Sequence, residues 1–136
     1  MKSIGLVAFS PLGRGFLTGT MKRADEYAET DFRYNGDPRL QGANFDANVK
    51  ATEVVREFAR KRNIKPGQVA LAWLLHKGSD IVPIPGTKRR TYLEENLAAA
   101  AIRLSESEIE ELAVALPPGT TTGPRYTEEM MSHINR

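Results

Sequence analysis

Near its start the chain reads Ile4-Gly5-Leu6-Val7-Ala8-Phe9, a nearly continuous apolar run that Ser10-Pro11 closes. A short run of this kind predicts a β-strand that is buried on both faces, as the strands of parallel sheets are. A second run, Ile81-Val82-Pro83-Ile84-Pro85-Gly86, predicts a second strand, and its prolines suit a strand end better than a sheet interior. Two parallel strands leave both edges open and do not make a stable sheet alone. We therefore expect both strands to belong to a larger sheet.

Two helices are predicted between these strands. Residues 48–62 repeat apolar side chains at the helical period, and either Asp46 or Asn48 can cap the helix that they form. Pro66 suits the first turn of a second helix, which Gly78 ends. Because this second helix is apolar on all sides, we expect it to be deeply buried.

Two further helices are predicted after the second strand. One begins near Lys88 and runs to about Ala100, with Leu93 and Leu97 on one apolar stripe. The other follows the capping box Ser105-x-x-Glu108 and ends at Pro117-Pro118. The helix-forming pattern therefore continues past the second strand for two elements rather than one.

Two segments show no periodicity. Residues 21–47 are rich in Asp, Arg, Asn and Gly, and a loop of that length in a compact domain is uncommon unless it is functional. Residues 117–136 predict an irregular tail. The order strand, loop, two helices, strand, helix and extra helix predicts right-handed βα units on a parallel sheet, an α/β fold. A (β/α)8 barrel needs eight βα units and about 250 residues, and the two βα units predicted here are roughly a quarter of those units.

The composition excludes several classes of protein. The chain has 136 residues, 19 lysines and arginines against 17 aspartates and glutamates, and no cysteine. Disulfides and cysteine-ligated metals are therefore excluded, and no other cluster with metal-ligand spacing occurs. The net charge of +2 is too small to indicate nucleic-acid binding. No apolar run approaches the roughly 20 residues of a membrane span and no signal peptide opens the chain, so we expect a cytoplasmic protein.

The strongest signal for a site is Ile84-Pro85-Gly86-Thr87-Lys88-Arg89-Arg90, where a strand ends and a helix begins with a hydroxyl and three cations. A helix N-terminus carries free N–H groups and a partial positive charge, so cations there are unfavourable unless an anion offsets them. One interpretation is a phosphate-binding site, which barrels of this kind often build after their last two strands. The other is a solvated basic turn.

Other candidates are weaker. The loop Ser10-Pro11-Leu12-Gly13-Arg14-Gly15 lacks the spacing of a Rossmann fingerprint and no helix pattern follows it. Phe9 can offer a flat face to a planar ring or pack in the core. His76 lies at the end of an apolar helix and is interpreted as structural. The glutamates of residues 106–111 suit a helix start rather than paired-carboxylate catalysis.

Three blocks of the sequence occur together, in order. They read Gly5-Leu6-Val7-Ala8-Phe9-Ser10-Pro11-Leu12-Gly13-Arg14-Gly15-Phe16-Leu17-Thr18-Gly19, then Gln68-Val69-Ala70-Leu71-Ala72-Trp73, then Ile84-Pro85-Gly86-Thr87-Lys88-Arg89 with Leu93-Glu94-Glu95-Asn96-Leu97. With these blocks the chain closely resembles the aldo-keto reductase family, in particular its NADPH-dependent bacterial and plant members. The blocks cover nearly the whole sequence.

The resemblance implies a partial (β/α)8 TIM barrel, of which residues 1–136 form the C-terminal part: the last two βα units and an extra C-terminal helix. It implies NADP(H) as cofactor, bound without a Rossmann domain, and the reduction of aldehydes or ketones to alcohols. It also implies assignments for the cofactor-binding residues. Phe9 is assigned to the nicotinamide, and Ser10, Leu12 and Arg14 are assigned to the pyrophosphate. Gly86, Thr87 and Lys88, with Arg89 beside them, are assigned to the 2′-phosphate, and Glu95 and Asn96 are assigned to the adenine.

The chain departs from the family pattern in two ways. Tyr92 stands where many members place an arginine against the 2′-phosphate, so that Lys88, Arg89 or Arg90 would have to replace it. Nothing in the chain matches the family's catalytic Asp, Tyr, Lys and His motifs, so no catalytic residue is assigned and the chain alone is expected to be inactive. The alternative is a non-catalytic module that binds nucleotide, self-associates, or pairs with a separate N-terminal half.

Overall fold

The structure is a computed structural model that describes residues 4–134 of the chain. The chain divides into two compact units. The first unit consists of Met1–Thr20 and Thr52–Leu116, and the second consists of Met21–Ala51 and Pro117–Arg136. Both predicted strands, and both segments predicted to bind a cofactor, lie in the first unit.

Two parallel strands pair in the first unit, β1 (Leu6–Phe9) and β2 (Ile81–Ile84). Their register runs from Leu6 opposite Ile81 to Phe9 opposite Ile84. The N–H of Leu6 donates a 2.8 Å hydrogen bond to the carbonyl of Asp80, which fixes where the pairing begins. The two predicted strands are confirmed, although each is shorter than its apolar run.

The prediction that β1 is buried on both faces is wrong for this chain. Leu6 is 56% exposed and Phe9 is 62% exposed, and on β2 Val82 is 55% exposed. A two-stranded sheet lacks a neighbouring strand on either outer edge, and of the described helices only α3 (Pro66–His76) packs extensively against β2. The apolar side chains of the strands therefore remain in contact with solvent.

The α-helices of residues 4–134 are α1 (Phe32–Asn35), α2 (Gly42–Lys61), α3 (Pro66–His76), α4 (Arg90–Ala98), α5 (Glu106–Ala115) and α6 (Glu128–Met131). Short 3₁₀ segments occupy Gly13–Thr18, Ala24–Glu26, Pro38–Leu40 and Ala99–Ala101. Each of the four predicted helices is present. Much of residues 21–47, predicted to be a loop, is also helical, in short turns and in the first turns of α2.

The predicted start of α2 is wrong, because the helix begins at Gly42 rather than near residue 48. Asp46 and Asn48 consequently lie inside the helix and cap nothing. The extra turns, residues 42–47, show no apolar period in the sequence, and the polar side chains among them make hydrogen bonds. Asn44 Nδ2, for example, donates to the carbonyl of Pro38 at 3.0 Å.

The prediction that α3 is deeply buried is also only partly correct. In α3, Val69 and Ala72 are buried but Leu75 is exposed, so one face rather than the whole helix is enclosed. In α4, Leu93 is 49% exposed and Leu97 is 66% exposed, although both belong to the stripe predicted from the sequence. These side chains have the periodicity of a packing face, and the described residues do not cover it.

The core of the first unit joins the second half of α2 with α3 and α5. Its buried side chains are Val55, Phe58, Ala59, Val69, Ala72, Leu104 and Leu112. The capping box predicted at the start of α5 is confirmed, with Glu108 N–H donating to Ser105 Oγ at 3.2 Å and Ser105 N–H donating to Glu108 Oε2 at 2.8 Å. The Ser105 N–H also holds the pKa of the Glu108 carboxyl below its usual value.

His76 is structural, as predicted. Its Nε2 accepts a hydrogen bond from the N–H of Leu104 at 3.2 Å, and its Nδ1 lies 2.7 Å from the carbonyl of Ala72. Because Nε2 must accept, the proton belongs on Nδ1, and the neutral imidazole links the end of α3 to the segment before α5.

In the second unit, a buried amide binds the two chain segments together. Asn48 is 2% exposed, and its Oδ1 accepts from the N–H of Thr122 at 2.7 Å while its Nδ2 donates to the carbonyl of Thr122 at 2.8 Å. Nδ2 also lies 3.2 Å from the carbonyl of Arg39. Arg39 Nε in turn donates to the carbonyl of Gly123 at 3.4 Å. The second unit is therefore held together largely by polar contacts.

No described helix combines the length and the apolar character that crossing a membrane requires. No group of three or more histidines, aspartates and glutamates within residues 4–134 is placed to hold a metal ion.

Replacing Asn48 by alanine should lower the free energy of unfolding by about 1–3 kcal/mol, because it leaves the N–H and carbonyl of Thr122 without their partners. Hydrogen exchange of residues 117–134 should accelerate at the same time. The matched control is Lys50→Ala, at an exposed position of the same helix, which should change both quantities little. Equal effects of the two substitutions would contradict the role given to Asn48.

Candidate functional site

The register of the sheet brings the two candidate segments to one edge. Phe9 is the last residue of β1 and pairs with Ile84, the last residue of β2. Adjacent strands lie about 4.8 Å apart, so the chain leaves the sheet at Ser10 and at Pro85 from neighbouring points. The carboxyl ends of parallel strands are where α/β proteins usually bind ligands.

The first segment is a tightly wound loop. Gly13, Arg14 and Gly15 have consecutive positive φ angles of 58°, 59° and 104°, and Ser10 has a φ of 51°. The carbonyl of Leu12 accepts the N–H groups of both Gly15 and Leu17 at 3.1 Å. Positive φ angles at non-glycine residues such as Ser10 and Arg14 are strained and occur often at ligand-binding sites.

The side chains of this loop divide between two roles. Phe16 is buried and anchors the loop, and the side chain of Leu12 lies against Gly67 at the start of α3. Ser10 and Arg14 are half-buried. The side chain of Leu12 therefore packs within the unit, which leaves only its backbone for a ligand.

The second segment is an open basic turn. A methyl group placed on Gly86 would meet no atom within 4 Å, so the backbone there is open to a ligand. Thr87 Oγ1 accepts the N–H of Arg89 at 3.1 Å, which shapes the turn that enters α4. No side chain caps α4, and its first turn contains no acidic residue. Its N-terminal amides therefore face an environment without a built-in negative charge, which suits an anion.

The three cations of this turn differ in their surroundings. Arg90 Nε forms an ion pair with Glu94 Oε1 at 2.9 Å, one turn along the same helix. The guanidinium of Arg89 lies over the ring of Tyr92, 5.7 Å from its centroid. Lys88 is exposed and has no ion-pair partner within residues 4–134. Lys88 and Arg89 are therefore available to an added anion, and Arg90 is already engaged.

Gln68 holds the two helices of this site together and was not identified from the sequence. Its Oε1 accepts the N–H of Lys65 at 3.0 Å, closing the start of α3, and its Nε2 donates to the carbonyl of Glu95 at 2.9 Å. Glu95 and Asn96 are both half-buried, and this hydrogen bond ties the backbone of α4 at Glu95 to the start of α3. Gln68 lies two residues after Pro66, at the third position of the helix, where glutamine side chains often cap a helix N-terminus. This position was the signal in the sequence that could have identified it.

The fold is that of an α/β protein in which the two candidate segments leave paired parallel strands at their carboxyl ends. Residues 1–116 match the model of the aldo/keto reductase family. The chain therefore belongs to the aldo/keto reductase family.

Individual relatives agree with this assignment. The chain is 46% identical over 124 residues to the aldo-keto reductase yakc [NADP(+)] of Schizosaccharomyces pombe, covering 91% of this chain and 36% of the relative. It is 42% identical over 123 residues to the probable aldo-keto reductase 1 of Glycine max, covering 90% of this chain and 35% of the relative. A glycerol dehydrogenase of Gluconobacter oxydans superposes with a TM-score of 0.67 at 27% identity, over 82% of this chain and 35% of that one. The chain spans about a third of the length of the curated relatives it matches.

Replacing Gln68 by alanine should lower the free energy of unfolding by about 1–2 kcal/mol, because one change removes both the cap of α3 and the bond to α4. Urea denaturation followed by the fluorescence of Trp73 measures this. Lys65→Ala is the control, since it keeps the backbone N–H that Gln68 accepts and should cost less than about 0.5 kcal/mol. If the two variants unfold alike, Gln68 does not link the helices.

Proposed function

We propose that this chain is the cofactor-binding part of an NADP(H)-dependent aldo-keto reductase that reduces aldehydes or ketones to alcohols. In this proposal it corresponds to the last two βα units of a (β/α)8 barrel and the extra helix that follows them. The observation that carries the proposal is the register of β1 and β2, which sets the Ser10 loop beside the basic turn at Gly86. A curated relative named for NADP(+) supports the choice of cofactor.

The 2′-phosphate of the cofactor is proposed to bind at the start of α4. Three features fit a dianion there: the uncapped amides of α4, the open backbone at Gly86, and the cations of Lys88 and Arg89. Tyr92 supports the guanidinium of Arg89 through its ring, which offsets the missing arginine at its own position. Arg90 contributes less, because its guanidinium already pairs with Glu94.

The remaining cofactor contacts follow the same edge of the sheet. The exposed ring of Phe9 offers a flat apolar face for the nicotinamide. The loop from Ser10 to Arg14 is proposed to bind the pyrophosphate, with Leu12 supplying backbone groups. Glu95 and Asn96 are proposed to hydrogen-bond the adenine, on the part of α4 that Gln68 ties to α3.

In this proposal, the chain supplies the groups that bind the cofactor, and the general acid of the reaction comes from residues outside this chain. NADPH supplies a hydride to the carbonyl carbon, and a general acid must protonate the carbonyl oxygen. This chain binds and orients the cofactor, and its loop encloses one side of the site. Among the tyrosines of the second unit, Tyr27 accepts the N–H of Lys22 at 3.1 Å and its ring lies under Arg33, so it serves the local structure.

Replacing Lys88 and Arg89 together by alanine should weaken the binding of NADP+ to the chain by roughly tenfold or more and that of NAD+ much less. Each charge-assisted contact to phosphate contributes about 1.5–3 kcal/mol. Phosphorus NMR of NADP+ resolves the 2′-phosphate from the pyrophosphate, so that only the 2′-phosphate signal should lose its response to the protein.

Arg90→Ala is the matched control, because it removes an adjacent cation that is paired with Glu94. It should leave the 2′-phosphate signal nearly as in the original chain. Equal weakening of NADP+ and NAD+ by the double substitution would assign the cations to the pyrophosphate instead. If the control and the double variant weaken NADP+ binding equally, the turn is a general basic surface and not a specific site for the 2′-phosphate.

The chain alone should oxidise NADPH negligibly in the presence of an aromatic aldehyde, because its sequence matches none of the family's catalytic Asp, Tyr, Lys and His motifs. Measurable turnover above the protein-free rate would refute this.

The exposed apolar side chains of β1 and β2 favour a second candidate function, a non-catalytic module that self-associates. Gel filtration of the same sample separates the candidates, since a discrete oligomer indicates the module and aggregation indicates an incomplete enzyme.

A further inference from the structure

A half-enclosed cavity of about 210 Å³ lies in the first unit, apart from the basic turn. Its lining comes from the loop after β1, the second half of α2, α3, and the end of α5 and the residue after it. Val55, Val69 and Leu112 are buried core residues and form the core floor of the cavity. Pro11 and Leu17 of the loop also line it.

The cavity is large for a packing defect. Protein interiors contain few voids larger than a water molecule, and a cavity needs about 10–15 Å³ to hold one water. An engineered cavity of about 150 Å³ in another protein binds benzene. A cavity of 210 Å³ therefore suits a single small molecule, such as one ring with a short substituent, and is too small for a helix.

The wall offers a ligand almost nothing polar. Every side chain that lines the cavity is apolar apart from the indole nitrogen of Trp73. That Nε1 is itself buried and has no hydrogen-bond partner in the part of the chain that the structure describes. Water gains few hydrogen bonds in such surroundings, and a charged or strongly polar molecule would lose its hydration without compensation.

We propose that this cavity is a binding site for a small, uncharged apolar molecule of about eight to ten non-hydrogen atoms. The cavity does not involve the basic turn, and it shares with the proposed cofactor site only the loop after β1, through Pro11. The binding energy comes from apolar surface removed from water against Trp73, Ala70 and the core floor.

Trp73 makes the proposal measurable, because it is the single tryptophan of the sequence and lines the cavity. The probe is ethylbenzene, titrated into the 136-residue chain while the tryptophan fluorescence is recorded. We expect a saturable change with a Kd of about 1 mM or tighter, which is reasonable for eight non-hydrogen atoms. Benzyl alcohol has the same size and adds a hydroxyl, and it should bind at least about tenfold more weakly.

The matched variants are Ala70→Leu, which fills the cavity from its wall, and Ala98→Leu, which makes the same change on an exposed face of α4 outside the lining. Ala70→Leu should abolish the saturable response and Ala98→Leu should leave it unchanged. A response that survives Ala70→Leu would overturn the proposal.

Two results with the unmodified chain would overturn the proposal without any variant. One is the absence of a saturable response to ethylbenzene, which would indicate that a side chain of the protein itself fills the cavity in solution. The other is equal affinity for ethylbenzene and benzyl alcohol, which would show that the wall does not discriminate by polarity. Neither result depends on whether the chain binds NADP+.

Discussion

The parallel pairing of β1 with β2 is the constraint on which the candidate site depends. Parallel neighbours cannot be joined by a tight turn, so the chain must cross from the end of β1 back to the start of β2 through other elements. That crossover contains α2 and α3 and supplies most of the core of the first unit. It also brings the ends of both strands to one edge, where Ser10 and Pro85 begin the two segments of the site.

The position of α4 relative to the sheet rests on a small number of polar contacts. Gln68 connects the start of α3 to the middle of α4, and Thr87 shapes the turn between β2 and α4. These contacts orient the uncapped end of α4 toward the outside of the turn without placing a carboxylate there. The result is a local positive field on a chain whose overall charge is only +2.

The same residues explain why a count of cations is a poor guide to the site. Three cations follow one another from Lys88, yet Arg90 pairs with Glu94 and Arg89 lies on Tyr92. The Arg90 pair is exposed and contributes little stability, but it still directs that guanidinium along the helix. Which of the three cations is available to an anion therefore depends on the neighbours of each cation on α4, one turn away.

Much of the fold was predictable from local pattern. The apolar runs predicted both strands, Pro66 marked the start of α3, and the Ser105–Glu108 capping box was found as expected, because each feature is stabilised by residues close in sequence. The family was also predicted correctly, from blocks of residues whose order is visible in the sequence. The binding roles of individual residues remain predictions.

Tertiary structure decided the rest. The first turns of α2 have no apolar period and are fixed by contacts such as the pairing of Asn48 with Thr122, which lies 74 positions away. The exposure of Leu6, Phe9 and Leu97 likewise contradicts their pattern, since a pattern shows which face can pack but not whether a neighbour covers it. The role of Gln68 and the cavity beside Trp73 arise only when separate helices meet, because both depend on distances that no local sequence encodes.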